Sequence, residues 1–150
     1  MATQTIPQLL QTVATEYPDT AAQMHRVDGG PFQARDYRRL YHDVQAFARG
    51  LQEIGVGRGD HVGLVSENRV EWLVSELAIL SLGAADVPRG NDSTAQELEF
   101  ILGLPECSVV IVENEAQLAK VMRVVDSLSA LKHIVVIDGE VDAKPTRKVR

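Results

Sequence analysis

The chain has 150 residues, of which 45% are hydrophobic, and it carries a formal net charge of −6 at pH 7. This length suits one ordinary domain, and this share of apolar residues suits a packed core rather than a disordered chain. The negative charge excludes a protein-wide basic field for nucleic acid or anionic lipid, and a single cysteine excludes a disulfide framework or a zinc site.

The first third of the chain predicts a helix, a β-hairpin and a second helix. Apolar residues at helical spacing predict the first helix over residues 6–16. The extended runs AAQMHRV and PFQARD flank Asp28-Gly29-Gly30, a sequence typical of a hairpin turn. Apolar residues at steps of three and four predict the second helix over residues 37–54. Asp36 is its predicted N-cap, and Gly55 is the predicted left-handed residue at which it ends.

From residue 61 onward, predicted strands alternate with predicted helices. Four apolar runs predict strands over residues 61–66, 84–88, 108–113 and 133–138. Three capping pairs predict where the intervening helices begin: Asn68 with Glu71, Ser93 with Gln96, and Asn114 with Gln117. These helices are predicted to extend to about residues 82, 104 and 126.

The strand runs are apolar throughout instead of alternating with polar residues, which is typical of strands covered on both faces. Residues 1–140 are therefore predicted to form an α/β fold: an open, mostly parallel sheet with helices on both faces, preceded by a helix and a β-hairpin. Residues 141–150 are polar and basic without a periodic pattern, which predicts a tail or a truncated linker.

The stretch GVGRGD, residues 55–60, begins like the G-x-G-x-x-G fingerprint of a dinucleotide-binding loop. That fingerprint binds pyrophosphate because it follows a strand and opens a helix, whose N-terminal amides face the phosphates. Here the stretch follows a helix and precedes a strand, and Asp60 replaces the last glycine. We therefore predict a helix end followed by a turn, and no phosphate site.

Several short motifs, in order, resemble the N-terminal region of the AMP-forming acyl-CoA synthetases, within the adenylate-forming superfamily. Gly-apolar-x-x-Gly-Asp-x-Val matches residues 55–62, Leu-x-x-Gly-x-x-x-Val-Pro matches residues 80–88, and an upstream Tyr-x-x-Leu matches residues 37–40. The sequence VPRGND, and Asp86 where amino-acid-activating enzymes usually have an aromatic residue, resemble the long-chain fatty acid branch. The resemblance extends from the first helix to the strand at 133–138.

This resemblance implies the N-terminal portion of the large domain of a long-chain fatty acid–CoA ligase. Such an enzyme uses ATP and Mg²⁺ to convert a fatty acid to an acyl-adenylate and then transfers the acyl group to coenzyme A. The family's Ser/Thr/Gly-rich triphosphate loop with its lysine, its carboxylates for Mg²⁺ and ribose, and its C-terminal lysine are not found in residues 1–150. The resemblance therefore implies that fatty acid, ATP and CoA bind through the remainder, and that residues 1–150 alone lack catalytic, cofactor-binding and metal-binding residues.

Arg89, Gly90 and Asn91 directly follow the predicted strand at 84–88, and ligands of open α/β sheets lie outside the carboxyl ends of strands. One interpretation is that these three residues line the ligand cleft of the whole enzyme. The other is that Asp92 or Ser93 caps the next helix while Arg89 pairs with a nearby carboxylate. We favour the second interpretation, because helix caps are common.

Other polar and reactive residues have structural explanations. Asp86 lies inside an apolar strand, so it should be near the strand end or paired, with Arg89 as its obvious partner. Ser66 and Glu67 end the first strand of the parallel run and could face a cleft. The four histidines lie on separate elements without ligand spacing, so no metal site is predicted. Cys107 has no basic neighbour and is predicted to be an inert thiol.

Two alternatives to an enzyme fragment stay open. One is a small flavodoxin-like binding or receiver-type module, which would need an acidic cluster at the strand ends for Mg²⁺. The other is a standalone module that pairs with other chains through exposed apolar surface, and a truncated domain would also self-associate. The N-terminus lacks a secretory signal, and no apolar stretch is long enough to cross a bilayer. We expect a cytoplasmic protein, with peripheral association at a membrane as an option.

Overall fold

A computed structural model describes residues 4–27 and 29–139 of the chain. Its elements are α1 (Ile6–Glu16), β1 (Ala21–Arg26), β2 (Phe32–Asp36), α2 (Tyr37–Glu53), β3 (His61–Val65), α3 (Val70–Ser81), β4 (Ala85–Arg89), α4 (Ala95–Gly103), β5 (Val109–Asn114), α5 (Glu115–Val124), a 3₁₀ turn (Val125–Ser127) and β6 (His133–Asp138). The predicted tail at 141–150 and Asp28 of the predicted hairpin turn lie outside the described residues.

Four strands form one parallel sheet in the order β4-β3-β5-β6, and β1 and β2 form a separate antiparallel hairpin. One row of paired residues crosses the whole sheet: Leu64 of β3 lies between Pro88 and Ile111, and Ile111 pairs in turn with Val135. The predicted parallel sheet and the predicted hairpin are therefore both confirmed. None of the helices in the described ranges is long and apolar enough to cross a membrane.

Helices cover both faces of this sheet, as the apolar strands predicted. Val109 and Ile111 of β5 join a core cluster with residues of α1, α2 and α3. Val110 and Val112 of the same strand point the other way and join a second cluster with residues of α4 and α5. Because successive side chains of a strand alternate between faces, one apolar strand contributes to both cores. This explains why the central strands carry no polar alternation.

Two of the predicted helix caps are confirmed. The Asp36 carboxylate accepts the backbone N–H of Arg39 at 2.7 Å and begins α2. The Asn114 side chain accepts the N–H groups of Ala116 and Gln117 at 3.0 and 3.2 Å and begins α5. Each bond satisfies donors that the first turn of a helix otherwise leaves free.

The other two capping predictions are wrong in detail. α3 begins after Arg69, which makes no side-chain capping bond, and Asn68 is not its cap. α4 begins one residue later than predicted, because Thr94 and Glu97 form the reciprocal capping box in place of Ser93 and Gln96. Both pairs satisfy the same sequence rule, but a carboxylate in the first turn interacts with the helix dipole better than a neutral amide does.

The stretch GVGRGD is a helix end and a turn, as predicted. Gly55 has φ +94° and follows α2, and the N–H of Val56 donates to the carbonyl of Leu51 at 3.0 Å. The Asp60 carboxylate accepts the N–H of Gly57 at 2.8 Å and closes the turn into β3. The amides of this stretch are thus used to end a helix and start a strand.

Candidate functional site

The carboxyl edge of the sheet contains a topological switch point between β3 and β5. From β3 the chain passes through α3 to β4 on one side, and then through α4 to β5 on the other side. The two connecting helices pack on opposite faces of the sheet. In open α/β sheets, ligands bind in the crevice that such a reversal leaves outside the strand ends. The residues that follow β3 and end β5 are therefore the first to consider.

A carboxylate lies at this crevice. Glu113 of β5 accepts the backbone N–H of Glu67 at 2.7 Å, and its amide-bearing neighbour Asn114 donates to it at 3.3 Å. Ser66 is buried, and its hydroxyl donates to the carbonyl of Glu67 at 3.0 Å. Of the two residues predicted to face a cleft, Ser66 is therefore enclosed, whereas Glu67 is exposed at the edge.

The loop after β4, residues 90–93, lies at the same edge of the sheet. Arg89, the residue before the loop, is exposed. The Arg89 guanidinium donates to the carbonyl of Pro88 at 3.3 Å. A Cβ added to Gly90 would lie 2.8 Å from the Asp92 carboxylate and 3.8 Å from that of Glu67, so the loop lies beside the end of β3. The structure thus brings Arg89 and Gly90 to the switch-point side of β4.

Neither part of the predicted structural explanation for this loop is correct. Thr94, and not Asp92 or Ser93, caps α4. Within the described ranges, Arg89 makes no ion pair. What does hold the loop is Lys120 of α5, whose ammonium donates to two of its backbone carbonyls. A lysine 27 or more residues further along the chain gives no local signal, and sequence reasoning missed it.

The predicted pair of Asp86 and Arg89 does not form. The two residues are three positions apart on a strand, so their side chains point to opposite faces of the sheet. Asp86 is half-buried on the edge strand and faces α3, where burial first and the Asp86 charge second raise the pKa of Glu76. The edge position leaves this carboxylate access to water, which removes the need for a partner.

Arg69 joins the start of α3 to the end of β6. Its Nε donates to Glu71 and its Nη1 donates to Asp138, both at 2.7 Å. The bond to Asp138 holds the pKa of Arg69 above its ordinary value. Burial disfavours the Glu71 carboxylate, but the hydrogen bond and charge of Arg69 outweigh it, and the pKa of Glu71 lies below its ordinary value of 4.5.

An open groove of about 1520 Å³ lies between the hairpin, the start of α3 and the end of β6. It is rich in arginine, but most of the guanidinium groups are already paired. Arg35 and Arg39 both bind Asp43, and Arg26 lies 4.1 Å from the centre of the Phe32 ring. The groove therefore offers little unpaired charge to a ligand.

The remaining reactive groups form no site within residues 4–27 and 29–139. No group of three or more His, Cys, Asp or Glu side chains in these ranges could hold a metal ion. Cys107 is buried, and burial raises the pKa of its thiol to about 11, so the thiol is protonated at neutral pH.

A family model described as AMP-binding enzyme matches residues 10–149 of the chain. A long-chain-fatty-acid–CoA ligase from Xenopus laevis is 27% identical over 140 residues, which cover 93% of this chain and 19% of that protein. A long-chain-fatty-acid–CoA ligase from Mycobacterium tuberculosis is 33% identical over 98 residues, which cover 65% of this chain and 16% of that protein. The chain therefore spans about a fifth of the length of the curated relatives it matches.

Solved structures show the same fold. A long-chain-fatty-acid–CoA ligase from Archaeoglobus fulgidus superimposes with a TM-score of 0.78 at 20% identity, and the match covers 91% of this chain and 28% of that one. At this identity the likeness concerns the fold alone.

Proposed function

The chain belongs to the AMP-binding enzyme family, and we propose that it forms the first part of the large domain of a long-chain fatty acid–CoA ligase. The observation that carries this proposal is the family match over residues 10–149, which includes nearly all of the described fold. Relatives named as long-chain-fatty-acid–CoA ligases support the substrate class, because they align with up to 93% of the chain. The motif VPRGND agrees with that branch.

The proposed reaction has two steps. A fatty acid carboxylate attacks the α-phosphorus of ATP and releases pyrophosphate to form an acyl-adenylate, and the thiol of coenzyme A then displaces AMP to give the acyl-CoA. In this proposal the chain contributes the sheet and its carboxyl edge, and residues beyond Arg150 in a longer protein contribute the reacting groups. We assign no catalytic residue to this chain.

The residues of this chain are poorly suited to bind magnesium or the triphosphate of ATP. The described ranges bring no three metal-ligating side chains together, and the Glu113 carboxylate at the switch point is already bound to a backbone N–H. The chain also has no Ser/Thr/Gly-rich run followed by a lysine that could hold a triphosphate. We therefore derive no step through magnesium for this chain.

The loop after β4 is proposed to border the ligand cleft of the longer enzyme. Arg89 supports this because its guanidinium is exposed at the carboxyl edge and binds no carboxylate in the described ranges. Gly90 follows it beside the end of β3, and Asn91 is the next residue of the loop. The test is Arg89→Ala in the longer ligase. A higher KM for ATP, fatty acid or CoA is expected, and unchanged kinetic constants would contradict the cleft assignment.

The alternative of a small flavodoxin-like binding or receiver-type module is not favoured. The strand order β4-β3-β5-β6 is compatible with such a module. In both, the strand that comes second along the parallel run, here β4, lies at the edge of the sheet next to the first strand, β3. However, a receiver needs acidic groups free for Mg²⁺, and Glu113 is engaged with Glu67. Incubation with Mg²⁺ and a phosphodonor tests this, and stable phosphorylation would favour the receiver.

Two experiments test the ligase proposal. The first is the nucleotide sequence downstream of the Arg150 codon, where a frame encoding a Ser/Thr/Gly-rich loop that ends in lysine is expected. A stop codon there would contradict the proposal for this chain. The second is acyl-CoA formation and AMP release by the longer protein with long-chain fatty acids, ATP, Mg²⁺ and CoA. A variant lacking the lysine of that loop is the control, and a carrier protein is the acceptor to compare with CoA.

We propose a cytoplasmic location. The relatives include a chloroplastic protein and a mitochondrial one, so their locations do not decide the question. Fractionation of cells that express the tagged protein tests it. Recovery with membranes after high-salt washing would contradict a cytoplasmic location.

A further inference from the structure

The side-chain ammonium of Lys120 in α5 binds the backbone of the loop between β4 and α4. Its ammonium donates to the carbonyl oxygen of Asn91 at 2.5 Å and to that of Ser93 at 3.0 Å. The side chain is half-buried, and in the described ranges it takes part in no ion pair. Two backbone carbonyls of one loop thus accept hydrogen bonds from a positively charged side chain of another element.

Among the described residues, the other hydrogen bond of this loop is weak. The N–H of Ser93 donates to the carbonyl of Gly90 at 3.5 Å, which is long for a hydrogen bond. Thr94 is engaged in starting α4 and belongs to the helix rather than to the loop. A hydrogen bond from a charged donor is stronger than one between neutral groups, so each Lys120 bond exceeds what this long backbone bond provides. Lys120 is therefore the main contact that fixes residues 90–93.

The position of α5 relates this contact to the switch point of the sheet. α4 and α5 pack on the same face of the sheet and share one core cluster. α5 itself is positioned by its cap Asn114, which follows Glu113 at the switch point. The Lys120 side chain thus connects the helix that starts at the switch point to the loop beside Arg89.

We propose that Lys120 is a positioning residue, which fixes the loop of residues 90–93 beside the ligand cleft. This inference rests on the proposed function, because it assumes that the loop borders the cleft of a longer ligase. Lys120 itself touches no reacting atom. It acts through the backbone of Asn91 and Ser93, and the loop in turn carries Arg89 and Gly90 to their places at the sheet edge.

The first test uses the 150-residue chain and backbone ¹⁵N relaxation. Lys120→Met keeps the length of the stem but removes the donors, and Lys120→Arg keeps a cation with several donors. In Lys120→Met, order parameters of residues 90–93 should fall from about 0.85 to below about 0.6, with β5 unchanged. Lys120→Arg should restore them, and Lys132→Met, at an exposed lysine, should leave them unchanged. Unchanged order parameters in Lys120→Met would overturn the inference.

The second test uses the same variants in the longer ligase. Lys120→Met should raise the KM of ATP, fatty acid or CoA about tenfold, in keeping with the loss of a charged hydrogen bond, with a smaller change in kcat. Arginine should restore most of the loss. A mobile loop with unchanged kinetic constants would overturn the positioning role while leaving the ligase proposal intact. If the longer protein forms no acyl-adenylate even unmodified, the ligase proposal fails and the positioning role falls with it.

Discussion

The side-chain carboxylate of Glu113 accepts the backbone N–H of Glu67 at 2.7 Å, and this bond joins the carboxyl ends of the two central strands. The ladder between β3 and β5 ends at the pair of Val65 and Val112, so the Glu67 amide lies beyond it. A side chain therefore continues the connection that the backbone no longer provides. It does so at the point where the order of the strands reverses.

Removing this acceptor should destabilise the chain. Glu113→Ala leaves the Glu67 amide without its charged partner, and the free energy of unfolding should fall by about 1–2 kcal/mol. Glu113→Gln keeps an oxygen acceptor without the charge and should cost about half as much. Urea unfolding measures both. Glu53→Ala, at an exposed residue of α2, is the control, and equal stabilities of Glu113→Ala and Glu53→Ala would contradict the role of this bond.

The ion pairs of Arg69 should make the free energy of unfolding depend on pH in the acid range. The pKa of Glu71 is lowered in the folded chain from an ordinary 4.5, so its contribution is present above that value and is lost as the pH falls through the folded pKa. Because both carboxylates are partly exposed, Arg69→Gln should cost only about 0.5–1 kcal/mol at pH 7. The difference from the unmodified chain should shrink as the pH falls below 4.5 and through the lowered pKa of Glu71.

Urea unfolding at pH 7 and in acid measures this dependence. Arg49→Gln removes the same charge from an exposed site on α2 and serves as the control. A difference between Arg69→Gln and the unmodified chain that stays constant with pH would show that the ion pairs do not contribute.

Gly63 leaves room for a core side chain on the α4 face of the sheet. A Cβ at this position would lie 2.5 Å from Cδ2 of Leu102 and 3.1 Å from Cγ2 of Val110. Leu102 is 1% exposed, so its side chain is enclosed by the core. Gly63→Ala should therefore cost about 1–3 kcal/mol, while Gly57→Ala, where a Cβ meets nothing, should cost much less.

A compensating substitution separates crowding from other effects of Gly63→Ala. Leu102→Val shortens the opposing side chain, so the double variant should be more stable than the sum of the two single changes predicts, by about 0.5–2 kcal/mol. Thermal or urea unfolding of all four chains completes the cycle. Strict additivity would mean that backbone effects, and not the contact with Leu102, account for the loss.

Local signals in the sequence predicted most of the fold. Apolar runs located the strands because those of a doubly covered parallel sheet carry no polar alternation. Asp36 and Asn114 were predicted as caps because a cap acts over three residues. Thr94 was missed because two overlapping capping pairs satisfy the same pattern.

The candidate site was less predictable, because its contacts are distant in sequence. The pair of Arg69 and Asp138 joins residues 69 positions apart, and Lys120 binds a carbonyl 29 positions away. Such contacts depend on how the strands are ordered in the sheet. Periodicity and motif spacing do not determine that order, so Lys120 and Glu113 became candidates only in the folded chain.

The outer side of α4 should cause the isolated chain to self-associate. Phe100 and Leu104 lie one turn apart and are 67% and 74% exposed, although α4 already buries Leu98 and Leu102 against the sheet. A helix that is apolar on two sides normally packs against two neighbours, and exposed apolar patches favour association. Sedimentation of the 150-residue chain should reveal species larger than the monomer, and Phe100→Glu with Leu104→Glu should shift the population to monomer. Gln52→Glu, at an exposed position of α2, should leave the association unchanged. A chain that is monomeric at all concentrations would contradict this prediction.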